Sequence, residues 1–319
     1  MARFLVRRVA LGVLVLWLIS ILVFAIFFIA PPDVARALAG RQATPQTIEL
    51  INHRLGLDRP LLVQYATWIS HLLHGDLGYS YYHQQPVTTI IAQDLPVTLS
   101  LAFGAAIIWL VIGVFNGVMS AIHPRTLLDR GLTGFALFFY SMPTFLLGLL
   151  FLYFFYFRLT VAGFDFFPAG GYVPFTQSPY EWARHLILPW FALALVSAAV
   201  YTRLTRGSML DVLGEDYIRT ARAKGLSERR VTYRHALRSA STPLVTQFGI
   251  DLGALVGGAV ITETVFSLGG IGQASIVAIN QQDLPVVIGI VMLAAAFVVI
   301  ANIIVDIVYA VLDPRVRLN

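Results

Sequence analysis

Three carboxylates, Asp251, Glu263 and Asp306, stand within long apolar stretches of this chain. An ionisable group at membrane depth is costly, so it pairs with a neighbour, lines a wet path or relays a proton. Gln247 precedes Asp251 by one helical turn, and Asn302 precedes Asp306 in the same way, so each carboxylate has an amide on its own helix face. Asp251 with Gln247 reads as helix pairing and gating ahead of direct contact with a solute; Glu263, at the outer end of its stretch, is expected to be hydrated. Covalent chemistry finds little support. There is no Gly-x-Ser-x-Gly, and no histidine stands well inside an apolar stretch to serve as a base. The absence of cysteine excludes disulfides, thiolate metal ligands and cysteine nucleophiles. The one lysine, Lys224, precedes its glycine, so no P-loop exists and the chain has no ATP site of that kind. His71, His74 and His83 are scattered through a polar segment and read as solvated, so no metal site is expected.

The whole chain defines the medium in which those groups work. Of 319 residues, 58% are hydrophobic and 12% charged, and the mean hydropathy is +0.77, whereas soluble domains carry about a quarter charged residues. A crossing helix needs about 20 mostly apolar residues to span about 30 Å of hydrocarbon. Six stretches qualify: 9–30, 97–122, 132–157, 185–202, 244–266 and 285–312. The implied fold class is all-α, a polytopic membrane bundle of six transmembrane helices. The first stretch follows Arg3, Arg7 and Arg8, is too long for a signal-peptide core and lacks a small-x-small cleavage site, so an uncleaved anchor is expected. Arginine and lysine fall sixteen against six on alternate sides, which puts both termini in the cytoplasm. The pI near 9.6 is read as that topology signal. Without a basic stripe carrying interleaved aromatics, no nucleic acid is expected as a partner.

Smaller features sit on these spans. Gly249, Gly253 and Gly257 recur at four-residue spacing, which lets helices approach closely; the fifth span is therefore expected at a partner interface or along the path. Ser141 and Pro143 predict a kink midway along the third span. Ser-Leu-Gly-Gly-Ile-Gly after Glu263 resembles a dinucleotide fingerprint only faintly and, with no strand before it, reads as an outer turn. In the segment 31–96, Leu61, Leu62, Tyr65, Trp68, Ile69, Leu72 and Leu73 recur at helical spacing. Gln64, Thr67, Ser70, His71 and His74 fall largely on the other face, which predicts an amphipathic helix on the membrane or over the bundle.

The stretch between spans four and five is out of character with the rest. From Met209 to Ala223 the spacing predicts one helix with Leu210, Leu213, Tyr217 and Ala221 on a stripe. Gly225 is expected to break it, Ser227 to cap a second short helix carrying Val231 and Leu237, and Pro243 to end the segment. It is far longer than a connection of about 2 to 8 residues requires. The result is a basic helix-turn-helix element suited to a groove on another protein.

This segment resembles the cytoplasmic loop of permease subunits of bacterial ATP-binding-cassette importers, whose signature runs Glu-Ala-Ala, three residues, Gly. Here the position reads Arg219, Thr220, Ala221, then Arg222, Ala223, Lys224, Gly225. Arginine in place of the acid, and the absence of the motif's final Ile-x-Leu-Pro, are features of the dipeptide, oligopeptide and nickel branch. The resemblance extends through LGLDRPLLVQYATWISHLLHGDLGYS (Leu55 to Ser80), PVTTIIAQDLPVTLSL (Pro86 to Leu101), GGAVITETVFSLGGIG (Gly257 to Gly272) and NIIVDIVYAVLDPRVR (Asn302 to Arg317), all similar to the first permease subunit of peptide transporters. Where that branch has Pro-Gly-Asp-Pro, this chain has Pro31, Pro32, Asp33 and Val34.

The resemblance implies a type I importer permease fold in the bacterial inner membrane. Its parts would be an anchor helix (1–30), an extracytoplasmic segment (31–96), a permease core (97–312) with a cytoplasmic coupling loop (203–243), and a tail (313–319). It implies a second homologous permease, two ATPase subunits or one fused ATPase that use ATP and magnesium, and an external substrate-binding protein; this chain itself would bind no cofactor and would not be an enzyme. Arg219, Thr220, Ala221, Lys224, Gly225, Leu226, Ser227 and Glu228 would engage the ATPase. Ser141, Pro143, Gln247, Asp251, Glu263, Asn302 and Asp306 are the candidates for path or gate. Short peptides are the expected cargo, with nickel, haem, glutathione or sugars as alternatives within the same architecture. A proton-coupled secondary transporter would usually show internal repeats, which are not evident here, and a membrane-embedded hydrolase would need the nucleophile and base noted above as missing.

Overall fold

The structure, a computed structural model, describes residues 2–29, 35–36, 44–55, 59–80 and 82–312. The Pro31-to-Val34 departure and the tail 313–319 lie outside the described residues. Helix α1 (Ala2–Phe24) continues through a π-helical turn, Ala25–Ile29. Outside the bundle come α2 (Pro45–Leu55), α3 (Leu61–Leu73) and a two-stranded hairpin, Tyr79–Ser80 against Gln85–Pro86. The bundle continues with α4 (Val87–Ile122), α5 (Leu127–Tyr140), α6 (Thr144–Phe151), which runs on to Val161, and α7 (Pro179–Leu213). It is completed by α8 (Asp216–Ala223), α9 (Leu237–Gly258), α10 (Val260–Val265), α11 (Ile271–Gln281) and α12 (Leu284–Leu312).

Among the described residues, five helical stretches are long and apolar enough to cross a membrane: Val6–Ile29, Val87–Ile122, Thr144–Val161, Pro179–Leu213 and Leu284–Ile307. The stretch expected at 244–266 is shared by α9 and α10, which meet at a turn at Ala259 (φ −71, ψ −16). The expected all-α membrane bundle is what the chain forms.

Its centre is the seam between α4 and α7. Leu101, Ala105 and Trp109 face Ala194, Ala198 and Tyr201, with Phe266 and Leu268 closing one end. Alanine and glycine dominate here because without water to drive association, close backbone approach supplies the packing energy. A Cβ at Gly113 would fall 3.0 Å from the Ala198 carbonyl, and one at Gly117 2.8 Å from that of Thr202. Gly113-x-x-x-Gly117 is legible in the sequence; the expectation of close packing had settled instead on the fifth span.

The third span is broken rather than kinked. Ser141, at the C-cap of α5, donates its hydroxyl to the Leu137 carbonyl (2.9 Å), and Pro143 takes φ −60, ψ 138 ahead of α6. Proline has no amide to give and disfavours α geometry in the residue before it, and Pro143 is itself extended, so the helix restarts rather than bends.

Helix α3 covers the bundle. Tyr65, Trp68 and Leu72 pack on Phe24 and Phe28 at the end of the first span and on Ile288 and Met292 of α12, and the Tyr65 and Ser20 hydroxyls meet at 2.7 Å. The expected division of its faces is corrected in part. Gln64, assigned to the wet face, is 7% exposed and donates to the Arg59 carbonyl, whereas Leu62 and Leu73 stand 83% and 80% exposed. The apolar residues span a wider arc than a seam against two helices can cover, and the seam took the aromatic part.

Candidate coupling and path site

The helix-turn-helix element predicted between spans four and five is present, with its parts redrawn. Helix α7 runs on to Leu213; its 35 residues make about 50 Å at about 1.5 Å per residue, well beyond the hydrocarbon. The chain then turns at Gly214 and Glu215 before α8 starts, so the single helix expected over 209–223 is divided. That turn resets the helical phase. Ile218 and Ala221 point inward, and Tyr217, placed on the stripe by periodicity, is 46% exposed. Gly225 takes φ +75, a left-handed conformation that glycine enters at no steric cost, and ends α8 as expected.

Ser227 does open the next helix, its carbonyl receiving the amides of Arg230 and Val231 at 2.9 and 3.0 Å, but its side chain makes no capping bond. From Glu228 the chain stays helical through a π-helical stretch, Val231–Ala236, into α9. Pro243 therefore lies inside a helix rather than ending the segment, which membrane helices tolerate when neighbouring groups re-satisfy the backbone.

The element is seated, not suspended. Ile218, Ala221, Val231 and Ala236 pack on Val118 and Ala121 of α4 and Met209 of α7. Of the predicted coupling residues, Ala221 is buried and Leu226 half-buried; Arg219, Thr220, Lys224, Gly225, Ser227 and Glu228 form the exposed face. Arg222 reaches across the Gly225 turn to Glu228 at 2.9 Å, and Arg219 pairs with Asp216 at 3.2 Å. An apolar back packed on the bundle and a polar, exposed front form a knob.

The membrane carboxylates separate into ties between helices. Asp251 accepts from the Tyr201 hydroxyl (2.8 Å) and the Gln247 amide (2.9 Å), joining α9 to α7. Gly249 lets α12 in so closely that a Cβ there would fall 2.7 Å from Val305; the surroundings of Gly253 and Gly257 lie outside the described residues. Asp306 pairs with Arg8 of α1 at 3.2 Å, while Asn302 donates to the Val298 carbonyl of its own helix.

Glu263 overturns its expectation. It is fully buried, not hydrated. One oxygen accepts from the Thr98 hydroxyl (2.6 Å), the other from the Gln273 amide (2.9 Å), and Thr98 in turn accepts from the Ile271 amide (2.9 Å). Ser-Leu-Gly-Gly-Ile-Gly wraps the start of α11 around this carboxylate. A Cβ on Gly270 would fall 2.5 Å from its carboxyl carbon, and one on Gly272 2.7 Å from the Val260 Cα. Two glycines and the positive end of a helix thus make room for a negative group, which periodicity alone could not reveal. Nearby, the Ser80 hydroxyl donates to buried Asp283 at 2.5 Å and pins the hairpin to the junction of α11 and α12. Glu263→Gln replaces one acceptor with a donor facing the Gln273 amide or Thr98. It is expected to cost about 1–3 kcal/mol, read as a lower unfolding temperature of the detergent-purified protein, with Thr98→Val shifting it in the same direction and the double variant less than additive.

Comparison with known proteins accounts for nearly the whole length. Residues 113–318 match the family described as binding-protein-dependent transport system inner membrane component, and residues 1–102 match the N-terminal family of the same systems. A Brucella abortus protein named a peptide transport system permease is 41% identical over 317 residues, covering 99% of each chain. The Pseudomonas aeruginosa di/tripeptide transport system permease protein DppB is 38% identical over 99% of each. The Bacillus subtilis oligopeptide transport system permease protein AppB is 36% identical over 99% of this chain and 100% of its own. Among solved structures, an inward-facing form of the MetNI methionine ABC transporter aligns with TM-score 0.53 and 20% identity, over 70% of this chain and 96% of the other, a likeness of fold. The seated knob, the spanning helices and these matches agree: the chain belongs to the binding-protein-dependent transport system inner membrane components, the permease subunits of ABC importers.

Proposed function

We propose that this permease carries short peptides inward across a bacterial inner membrane, paired with a second homologous permease and driven by separate ATPase subunits that bind ATP and magnesium. Identity of 36–41% along nearly the full length to proteins named for peptide transport supports the cargo. An external binding protein delivers it. Both termini face the cytoplasm, a reading supported by the arginine distribution and by the Arg8–Asp306 pair, which sets the start of α1 beside the end of α12.

The observation that carries the coupling role is the seating of the 203–243 element on α4 and α7 through Ile218, Ala221 and Val231. A body with an apolar back fixed to two spans passes force on, whereas a floppy loop would absorb it. Arg219, Thr220, Lys224, Gly225, Ser227 and Glu228 meet the ATPase groove, with Ala221 and Leu226 holding the seat. Gln247 and Asp251 act in gating through the tie to Tyr201; Glu263 and Asp306 keep helices in register. Ser141 and Pro143 supply a hinge, and Asn302 and the Gly249, Gly253, Gly257 row serve packing along the path.

The chain has no cysteine, so Ser227→Cys is a clean probe. Co-expressed with ATPase subunits carrying one groove cysteine, it is expected to form a disulfide whose yield changes with ATP, and unlabelled di- and tripeptides are expected to compete with uptake of a labelled one. No cross-link from an inserted chain removes the coupling role; a cross-link without competition removes the peptide cargo alone.

A further inference from the structure

Asp129 has no part in the roles above, yet it is densely bonded. It stands in the first turn of α5 and is 4% exposed. One carboxylate oxygen receives Arg206 Nε (2.7 Å) and the Ser120 hydroxyl; the other receives Arg206 Nη2 (2.9 Å) and the Arg125 amide (2.9 Å). These donors come from α7, from α4 and from the loop joining α4 to α5. A two-pronged guanidinium–carboxylate pair fixes orientation as well as distance. The Arg206 guanidinium, helped by the Ser120 hydroxyl, holds the carboxyl well below the usual carboxylate range.

The same short lengths of helix carry the knob. Arg206 lies one turn before Met209, and Ser120 lies between Val118 and Ala121; these three apolar residues are the wall on which Ile218 and Val231 rest. At this level α4 and α7 are in backbone contact at Gly117, so they and the knob form one stiff unit. Among the described residues no member of α5 belongs to that apolar cluster. Helix α5 packs along α7, and polar contacts fix its position there at both ends: Asp129 at its start, and at its finish the Tyr140 ring, whose centroid lies 5.2 Å from the Arg203 guanidinium. Beyond Tyr140 the helix breaks at Ser141–Pro143.

We propose that Asp129 is the positioning residue that makes α5 part of the coupling body, so that displacement of the knob is carried into the third span as far as the break at Ser141–Pro143. This rests on the coupling role proposed for the 203–243 element. Without the clamp, α4 and α7 still follow the knob, but α5 slips.

The test is a distance, free of any assumption about cargo. Gly131 of α5, where a Cβ meets nothing within 4 Å, and Tyr217 of the knob, 46% exposed and outside the face proposed to meet the ATPase, are both changed to cysteine, spin-labelled, and measured in the assembled complex without nucleotide and trapped with ATP and vanadate. In the parent the separation is expected to hold through the cycle. With Asp129→Asn it is expected to match the parent without nucleotide and to shift by about 2 Å or more on trapping, and Asp129→Glu is expected to restore most of the constancy.

A parent distance that changes with nucleotide, a variant distance that does not, or one already altered before nucleotide is added would each overturn the proposal; the last marks a merely structural residue. If Asp129→Asn does not assemble, Arg206→Lys, which keeps the charge but loses the fork, is read in the same way. The nucleotide-sensitive Ser227 cross-link is run in parallel: its absence in the parent would sink the coupling role itself, whereas its presence with an unmoved variant distance would sink only the clamp.

Discussion

Uptake should fall about 100-fold or more when Ile218 is replaced by aspartate, with the chain still present in the membrane. Ile218 is fully buried among Val118, Met209 and Val231. A carboxylate there has no partner and must be re-solvated or neutralised; leaving a buried charge uncompensated costs about 3–5 kcal/mol, more than enough to unseat a knob held mainly by a few apolar side chains. The front face with Arg219, Lys224 and Glu228 is untouched, so under the proposed coupling role an ATPase subunit still docks while its motion no longer reaches the spans. Tyr217→Ala, one residue away but 46% exposed, should change uptake by about twofold at most. Transport by membrane vesicles, normalised to the amount of chain by immunoblot, decides it. Uptake near the parental level for Ile218→Asp would mean that the seat carries no force.

Gly117→Val should act earlier, by preventing the bundle from forming. A Cβ at this position would meet the Thr205 side chain and come 2.8 Å from the Thr202 carbonyl. Backbone cannot step aside as a long side chain can, so α4 and α7 must separate along the central seam. Overpacking of this kind costs about 3 kcal/mol, a large part of the stability of a marginally stable protein. The expected result is a loss of about tenfold or more in membrane-inserted chain. Gly131→Ala and Gly207→Ala, where a Cβ meets nothing within 4 Å, serve as controls and should accumulate normally, since alanine is the better helix former. Quantitation after alkaline extraction separates inserted from aggregated material, and normal accumulation of Gly117→Val would show that the seam is looser than its geometry.

Much of the molecule is legible in one dimension because the bilayer imposes a strong one-dimensional rule. Backbone groups in hydrocarbon must bond within their own helix, so length and hydropathy alone give an all-α bundle, five of its six expected spans in outline and the out-of-place basic element. Gly225 as a break and Ser141–Pro143 as a weak point also follow from backbone sterics, which are local. Periodicity fails where phase is interrupted. The turn at Gly214–Glu215 exchanged Tyr217 for Ile218 on the buried stripe, and on α3 the seam against two helices buried Gln64 and left Leu62 out.

The carboxylates show the limit most clearly. Sequence identifies Asp251, Glu263 and Asp306 as groups that need an account at membrane depth, and it places Gln247 beside Asp251 because both are on one helix. It does not supply Tyr201 for Asp251, Arg8 for Asp306 or Thr98 for Glu263, which arrive from 50, far more than 50, and 165 positions away respectively. Asp129 did not stand out at all, lying in a loop-to-helix turn where an acid is ordinary as a first-turn residue, until Arg206 and Ser120 were brought to it. What the sequence by itself determined is the medium, the helices and the family, since each depends on composition, run length or a contiguous motif. Which charge meets which, and which face of a helix is inside, only the tertiary structure decided, because those depend on distances between segments that no local pattern encodes.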